Sequence, residues 1–273
     1  MRYSNAFLLA AFMAFALIGF GAQKALAQNV ILEHFPSFGC MDTKVSEEFF
    51  HSLIGKEDDV LILACYTPNE GIVPDLSHQI CSRRKMRYVV HNFPNASATP
   101  MVQFNGQYNA NGSFPNVITS GIQMARAEDT IIQIPVRIED ASIIADLPEI
   151  QHHTPLELWF IAYNQHEQHV IENTAMETPE LPIDADISDD ERLLYEQAIE
   201  EQQSQFGSHD FYNIVKKVEL LGPWEGRGET ITIPLNNFRA DGFVILAQER
   251  NVQNIIGSGW IKPGEHNFGV VTD

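Results

Sequence analysis

The chain is poor in cysteine, poor in basic charge and, after its first 27 residues, without a long hydrophobic run. Lys and Arg number 17 against 36 Asp and Glu, which gives a net charge of −19. This charge repels nucleic acid and anionic lipid surfaces at long range, so we expect neither as a partner. The motifs G-x-S-x-G, G-x-x-x-x-G-K-[ST] and G-x-G-x-x-G are missing too. Hydrolase, nucleotide and dinucleotide functions therefore gain no support, and we predict no cofactor.

The first 27 residues have the pattern of a secretory signal peptide. Arg2 supplies a positive charge, residues 6–22 are almost wholly apolar, and Ala25-Leu26-Ala27 fits the small-x-small cleavage rule. The mature chain would begin near Gln28 and carry 15 basic and 36 acidic residues, a net charge of −21. An uncleaved anchor is the alternative, because an apolar run of 17 residues is near the lower limit for spanning a membrane. We expect a periplasmic or secreted protein with no membrane insertion after cleavage.

Residues 28–127 have the pattern of an α/β domain. Apolar runs at 30–35 and 59–66 predict buried strands, each followed by a helical pattern, and Asn105-Gly106 predicts a hairpin. The resulting order, βαβαββα, is that of the thioredoxin fold. Ser113 is a candidate cap for the last helix, whose inner face is predicted to carry Val117, Ile118, Ile122 and Ala125.

Residues 128–273 differ in character and predict an all-β, sandwich-like domain. Short strand-like runs alternate with turn residues there, as they do in antiparallel sandwiches. An acidic insert at 177–206 interrupts these runs with ten acidic residues and one basic residue, Arg192. The second half of the insert has a helical pattern, for which Ser188 or Asp189 is the candidate cap.

Cys40 stands where a thioredoxin-like fold delivers its reactive cysteine. It follows the first predicted strand, in the segment FGCMDTK at 38–44. Unpaired backbone N–H groups and the helix dipole stabilise a thiolate at the N-terminus of the following helix. A second cysteine three residues further on would resolve a mixed disulfide, but Thr43 occupies that position. The motif is therefore a degenerate C-x-x-C with a single thiol.

Further short segments fit known motifs in a fixed order. Residues 84–88 (RKMRY) fit R-Q-x-x-Y, and 99–106 (TPMVQFNG) fit T-P-Q-M-V-V-N-G. Residues 221–226 (LGPWEG) fit L-G-x-W-x-G, while Ala247-Gln248 and Ile256-Gly257 are similar to V-Q and L-G-A. With the degenerate form of Q-G-C-S-S-C-P-P, these segments resemble the secreted bacterial family called domain of unknown function 1223. In that family a thioredoxin-like domain precedes a β-rich domain.

The resemblance implies that Pro100 is a cis-proline facing Cys40. The backbone of Thr99 would then present polar groups to an extended peptide or to a thiol ligand. This chain departs from the family pattern at Thr43 and at Lys44-Val45, where the resolving cysteine and two prolines are replaced. The ammonium of Lys44 would favour a thiolate nearby.

Three cysteines in an oxidising compartment mean one disulfide and one odd thiol, or an intermolecular bond. Cys65 ends the second predicted strand, Cys81 leads into the following helix, and the intervening loop is long enough to fold back between them. We favour a Cys65–Cys81 disulfide, which leaves Cys40 free. The alternative is that Cys65 is buried as a small hydrophobic residue.

Two functions remain open for Cys40. A reactive thiol would form mixed disulfides, pass to sulfenic acid or hold a thiol ligand, which is at most a single-thiol, oxidoreductase-like activity. Alternatively, the protein is a non-catalytic module of the cell envelope. It would then bind a peptide or an envelope protein through the same groove or through the β domain.

Histidines and acidic runs are weaker candidates. His34 and His91 are candidate bases near Cys40. The aspartates at 184–190 lack the glycine and glutamate of an EF-hand and predict a solvated loop. His152, His153, His166 and His169 fall in the same region and could be considered as metal ligands. His166 and His169 are three residues apart on a strand-to-loop stretch, so they do not share a face, and we predict no metal site.

Overall fold

The computed structural model describes residues 30–37, 40–68, 78–91, 98–128, 131–171, 188–203, 207–236 and 238–265. The predicted signal peptide, the cleavage site and the first half of the acidic insert lie outside the described residues. No helix within the described ranges is long and apolar enough to cross a membrane.

The N-terminal half alternates strands and helices in the order expected from the sequence. Its elements are β1 (Val30–Phe35), α1 (Met41–Leu53), β2 (Val60–Ala64), α2 (Gln79–His91), β3 (Met101–Phe104), β4 (Tyr108–Asn111) and α3 (Pro115–Arg126). Strand β1 pairs with β2 in parallel and with β3 antiparallel, and β4 pairs with β3 at the edge. Because β1 is central, all six of its residues are buried.

The C-terminal half consists mainly of strands. Its elements are β5 (Ile132–Gln133), β6 (Val136–Glu139), β7 (Ser142–Leu147), β8 (Leu156–Ile171), α4 (Asp189–Gln203), β9 (Gly207–Trp224), β10 (Glu229–Pro234), β11 (Gly242–Glu249) and β12 (Ile255–Ile261). Strands β6, β7 and β10 form a small antiparallel sheet. It packs its buried side chains, among them Ile143 and Ile233, against Phe160 and Phe243 of the larger sheet.

One nine-stranded sheet runs through both halves, in the order β4-β3-β1-β2-β9-β8-β11-β12-β5. The connection is the parallel pairing of β2 with β9, at Ala64 and Ile214. Strand β9 also forms a long antiparallel ladder with β8, which carries two register shifts. The start of β9 therefore lies beside α1, where it helps to form a cavity described below.

A buried polar network also joins the two halves. The Arg84 guanidinium on α2 donates to Glu33 on β1, with Nη2 at 2.8 Å from Oε2, and to Gln248 on β11 at 3.1 Å. The Tyr88 hydroxyl donates to the same carboxylate, and Arg84 lies 4.8 Å from the ring of Trp159. Burial opposes the charge of Arg84, but the Glu33 carboxylate holds its pKa above the usual value. Segments 84–88 and 247–248, both singled out as motifs, thus meet in one cluster.

Two local predictions have different outcomes. Asn105 and Gly106 form the turn between β3 and β4, with φ of 48° and 72°, as the Asn-Gly pair predicts. The buried face of α3 was predicted wrongly at one position, because Val117 is half exposed. The helix buries Ile118, Ile122, Ala125 and the glycine between them, and Val117 lies one residue outside this i, i+3, i+4, i+7 face.

Candidate functional site

Cys40 is the N-cap residue of α1, directly before Met41. Its backbone is extended, with φ −97° and ψ 114°, and its side chain makes no capping hydrogen bond to the helix. The thiol instead points to the loop that precedes β3, and Sγ donates to the backbone oxygen of Thr99 at 3.4 Å. Cys40 is half-buried and is the free cysteine of the chain. A thiolate at this position faces the positive end of the helix dipole.

The Thr99–Pro100 peptide bond opposite Cys40 is cis. Pro100 is buried, and its oxygen accepts a hydrogen bond of 2.8 Å from the Gly112 N–H at the end of β4. A Cβ on Gly112 would lie 3.1 Å from the Pro100 ring and 3.2 Å from Cβ of Ser46 on α1. The glycine therefore allows the proline loop to pack closely against the helix that carries Cys40.

Thr43, three residues after Cys40, has a structural role. Its hydroxyl donates to the Ser37 oxygen at 3.0 Å and accepts from the Ser37 N–H at 3.3 Å. The Thr43 N–H bonds to the Cys40 oxygen at 2.9 Å, which closes the first turn of α1. Only 5% of Thr43 is exposed. A threonine here fixes both ends of the loop that carries Cys40, which a thiol would do more weakly.

Lys85 is a cation at this site that sequence reasoning missed. It lies on α2, and its Nζ donates to the hydroxyl of Thr99. The backbone oxygen of the same residue accepts the hydrogen bond from the Cys40 thiol. Burial lowers the pKa of Lys85, and the charge of Cys40 acts in the opposite direction. Lys44, the cation expected from the sequence, is exposed on α1. The sequence Arg83-Arg84-Lys85 predicted only a basic helix, because the place of a residue in a helix does not indicate which residues of other elements it contacts.

The two candidate bases do not serve Cys40. His34 is buried on β1, and its Nε2 lies 3.0 Å from the hydroxyl of Ser46. Burial lowers the pKa of His34 to about 3, so its ring is neutral at physiological pH and is a poor proton acceptor. His91 is exposed at the C-terminal end of α2.

The structure contains the Cys65–Cys81 disulfide, with Cα atoms 5.2 Å apart. Cys65 follows β2 and Cys81 lies in the first turn of α2, and both are buried. The bond therefore fixes the start of α2, the helix that carries Arg84 and Lys85, to the central sheet.

We expect removal of this disulfide to destabilise the fold without changing the thiol. The paired variant Cys65→Ala/Cys81→Ala should lose about 3 kcal/mol of unfolding free energy, because a loop of this length is then open in the unfolded chain. Urea unfolding of the variant, with Cys40→Ser as the matched control, measures the change. An unchanged midpoint would contradict a stabilising role.

His166 and His169, the candidate metal ligands, pair with different carboxylates. His166 and His169 both lie on β8, and their Nε2 atoms pair separately with Asp210 at 2.8 Å and Glu167 at 2.7 Å. Within the described ranges there is no group of three or more His, Cys, Asp or Glu able to hold a metal ion. The predicted acidic loop lies outside the described residues up to Ile187. The helix after it begins at Asp189, and the oxygen of Ser188 accepts from the Arg192 N–H.

Comparison with known proteins identifies a shared fold. No family model matches this chain, and no curated protein matches it. The chain is similar to the X-ray crystal structure of a structural genomics target from Agrobacterium tumefaciens, with a TM-score of 0.66 and 15% sequence identity. The match covers 89% of this chain and 98% of that one. At this level of identity the likeness concerns the fold alone.

Proposed function

We propose that this chain is an exported thioredoxin-like protein with a degenerate, single-cysteine active site, and that Cys40 exchanges with thiols and disulfides. One observation carries the proposal: the Cys40 thiol lies at a helix N-terminus and donates to the oxygen of a residue in a cis X-Pro bond, Thr99. The Lys85 ammonium beside Thr99 adds positive charge to the same spot. The helix N-terminus and the ammonium are the features that attract negative charge to this sulfur, and a thiolate is the nucleophile in disulfide exchange.

The reaction proposed for this site is the first of the two exchange steps that a pair of cysteines would carry out. The Cys40 thiolate attacks one sulfur of a disulfide RS–SR′, so a Cys40–SR bond forms while the S–S bond breaks and R′S⁻ leaves. Thr43 has no sulfur with which to displace RS⁻. A thiol from outside the chain must therefore attack the mixed disulfide and restore Cys40. The activity is that of a single-thiol oxidoreductase.

The proposed ligand is an extended peptide or another compound that carries a thiol or a disulfide. The groove between α1 and the Thr99–Pro100 bond is the place where such a chain would lie against Cys40. We also include membership of the family called domain of unknown function 1223 in the proposal. It is supported by the order of the motifs and by the meeting of Arg84, Tyr88 and Gln248 in one network.

Export is part of the same proposal. A disulfide persists in the periplasm or outside the cell, and Cys65–Cys81 suits such a compartment. N-terminal sequencing of the protein purified from the cell envelope tests it. We expect the mature chain to start at Gln28, and a chain that retains Met1 in the cytosol would contradict export.

Reaction with oxidised glutathione tests the thiol chemistry directly. The native protein should gain one glutathione, mapped by mass spectrometry to Cys40, and the Cys40→Ser variant should gain none. Added reduced thiol should release the adduct. If Cys40 stays unmodified while the unfolded protein reacts, the proposed exchange reaction is wrong.

Lys85→Met should slow formation of the mixed disulfide. The variant removes a positive charge beside Cys40, and we expect the rate at pH 7 to fall by about three- to tenfold. The difference should disappear at alkaline pH, where the thiol is ionised in both proteins. The conservative variant Lys85→Arg keeps the charge and should stay close to wild type. Equal rates for Lys85→Met and wild type at pH 7 would contradict a role for this ammonium.

A non-catalytic binding module is the second candidate. The bonds from Thr43 to Ser37 favour it, because the residue that replaces the resolving cysteine stabilises the loop rather than the chemistry. Such a module would hold a peptide or an envelope protein in the same groove, or on the β-rich half, with Cys40 as a small helix-start residue. Cys40→Ser separates the two candidates, since it abolishes exchange but leaves peptide binding unchanged.

A further inference from the structure

A second concave site lies between α1, the start of β9 and the floor formed by β1 and β2. It is a half-open cavity of about 160 Å³. Among the residues that line it are neither Cys40 nor Pro100, so it is separate from the thiol site. A cavity of about 150 Å³ holds a molecule the size of benzene. The space therefore suits a small ligand or a single side chain.

The side of α1 that faces this cavity is polar. Lys44, Glu47, Glu48 and His51 follow one another at i, i+3, i+4 and i+7, which places all four on one face of the helix. A helix face directed towards a packed neighbour is normally apolar. The polar face instead borders an open space, opposite Asp210 at the start of β9.

Glu47 is the carboxyl group of this cavity that forms a hydrogen bond to a buried side chain. Its Oε1 accepts a hydrogen bond of 2.5 Å from the hydroxyl of Tyr66, a residue only 2% exposed. Burial raises the pKa of Glu47 to about 7, the Tyr66 hydrogen bond lowers it in part, and the charge of Glu48 raises it further. Among the described residues, no positive charge is a cause of this pKa shift, so no cation there offsets the desolvation of the carboxylate.

Aromatic rings form much of the remaining wall. The His51 ring stacks on Tyr212, with centroids 3.9 Å apart and an interplanar angle of 14°. Tyr66 meets Phe211 edge to face, with centroids 5.6 Å apart. All four side chains line the cavity. Aromatic faces combined with carboxylates are the surroundings that proteins use to bind organic cations.

We propose that this cavity binds an organic cation, an alkylammonium or guanidinium group, with Glu47 as its counter-charge. The carboxyl groups of Glu47, Glu48 and Asp210 disfavour an anion, and a neutral ligand would bring no positive charge to Glu47. The group belongs either to a free amine or to a basic side chain of a bound peptide. A peptide that also reached Cys40 would join this site to the proposed function, but the cation site does not depend on the thiol.

Binding should strengthen as the pH rises through about 7, because the cation selects the ionised form of Glu47. An alkylammonium ion remains charged over this range. From pH 6 to pH 8 the ionised fraction of a group with this pKa rises about tenfold, and affinity should follow it. The other titratable or charged groups that line the cavity are Lys44, Glu48 and His51 on α1, His34 on β1, Tyr66 after β2, and His209 and Asp210 on β9. Burial keeps His34 and Tyr66 uncharged over this range.

Calorimetric titration with n-butylammonium chloride and with acetyl-Gly-Lys-Gly-amide tests the site. Neutral controls are n-pentanol and acetyl-Gly-Leu-Gly-amide. Each titration uses the full mature protein at pH 6 and pH 8, together with Glu47→Gln. The exposed Glu229→Gln on β10 is a control that makes the same change of charge away from the cavity. Circular dichroism and the melting temperature of each variant verify that it is folded.

We expect saturable binding of a cationic probe, with an affinity about tenfold higher at pH 8 than at pH 6. Glu47→Gln should weaken this binding at least about tenfold, and Glu229→Gln should leave it unchanged. Equal affinity for both cationic probes indicates a free amine as the ligand, and binding of the peptide alone indicates a basic side chain. Failure of both probes to bind, or equal binding of the neutral controls, would overturn the proposal. Glutathione uptake at Cys40, measured on the same samples, reports on the thiol site separately.

Discussion

Replacing Arg84 with methionine is expected to lower the unfolding free energy by about 3–5 kcal/mol. The substitution keeps most of the side-chain volume but leaves the Glu33 carboxylate buried with the Tyr88 hydroxyl as a neutral donor. It also removes the bond to Gln248, which joins α2 to β11. Because the network spans both halves of the sheet, the loss should lower the stability of the whole fold in a single transition. Urea unfolding followed by circular dichroism measures it.

A matched control comes from an exposed ion pair. Arg227 lies 2.8 Å from Glu225, with both side chains largely in solvent. Arg227→Met should leave the urea midpoint where it is in wild type, since exposed pairs contribute little. The double variant Glu33→Gln/Arg84→Met leaves no unpaired charge. Its loss of unfolding free energy should therefore be at least about 1 kcal/mol smaller than the sum of the losses in the two single variants. If Arg84→Met unfolds at the wild-type midpoint, the buried network has no stabilising role.

The variant Thr43→Cys is expected to turn a single-thiol site into a cycling one. The Thr43 N–H bonds to the Cys40 oxygen, so a sulfur at position 43 lies one turn from Cys40. Release of the mixed disulfide then becomes intramolecular, and insulin reduction should rise on the order of 100-fold or more over wild type. The substitution also removes the two bonds to Ser37, which should cost about 1 kcal/mol of stability.

Two variants serve as controls for this gain. Thr43→Ser keeps the hydroxyl and adds no sulfur, so its activity should equal that of wild type. Cys40→Ser/Thr43→Cys lacks the attacking thiol and should be inactive. A Thr43→Cys protein that is folded but reduces insulin no faster than wild type would count against the redox proposal and in favour of the binding module.

The sequence predicted several local features correctly. The apolar run at 30–35 is β1, because a central strand buried on both faces needs no alternation of polar residues. The turn at Asn105-Gly106 has positive φ at both residues, which that pair accepts readily. The helical pattern in the acidic insert is also present, as α4. Each of these features depends on neighbours in the sequence.

Features that depend on distant contacts were not predictable in this way. Strands β8 and β9 have 16 and 18 residues, whereas the sequence pattern suggested shorter runs, because both strands continue through stretches in which polar residues are exposed. The pairing of β2 with β9 joins residues 150 positions apart, Ala64 and Ile214, and no local pattern encodes it. Lys85 and Glu47 acquire their surroundings from other elements for the same reason.

The rate of alkylation of Cys40 tests the central claim most directly. With the Cys65–Cys81 disulfide intact, Cys40 is the free thiol of the chain, so iodoacetamide labelling of the native protein reports on it alone. The measurement compares native and urea-unfolded protein from pH 4 to pH 10. We expect the native protein to react faster at pH 6, because the helix N-terminus and Lys85 favour the thiolate. A native rate equal to or below the unfolded rate throughout would contradict a reactive thiol at this site.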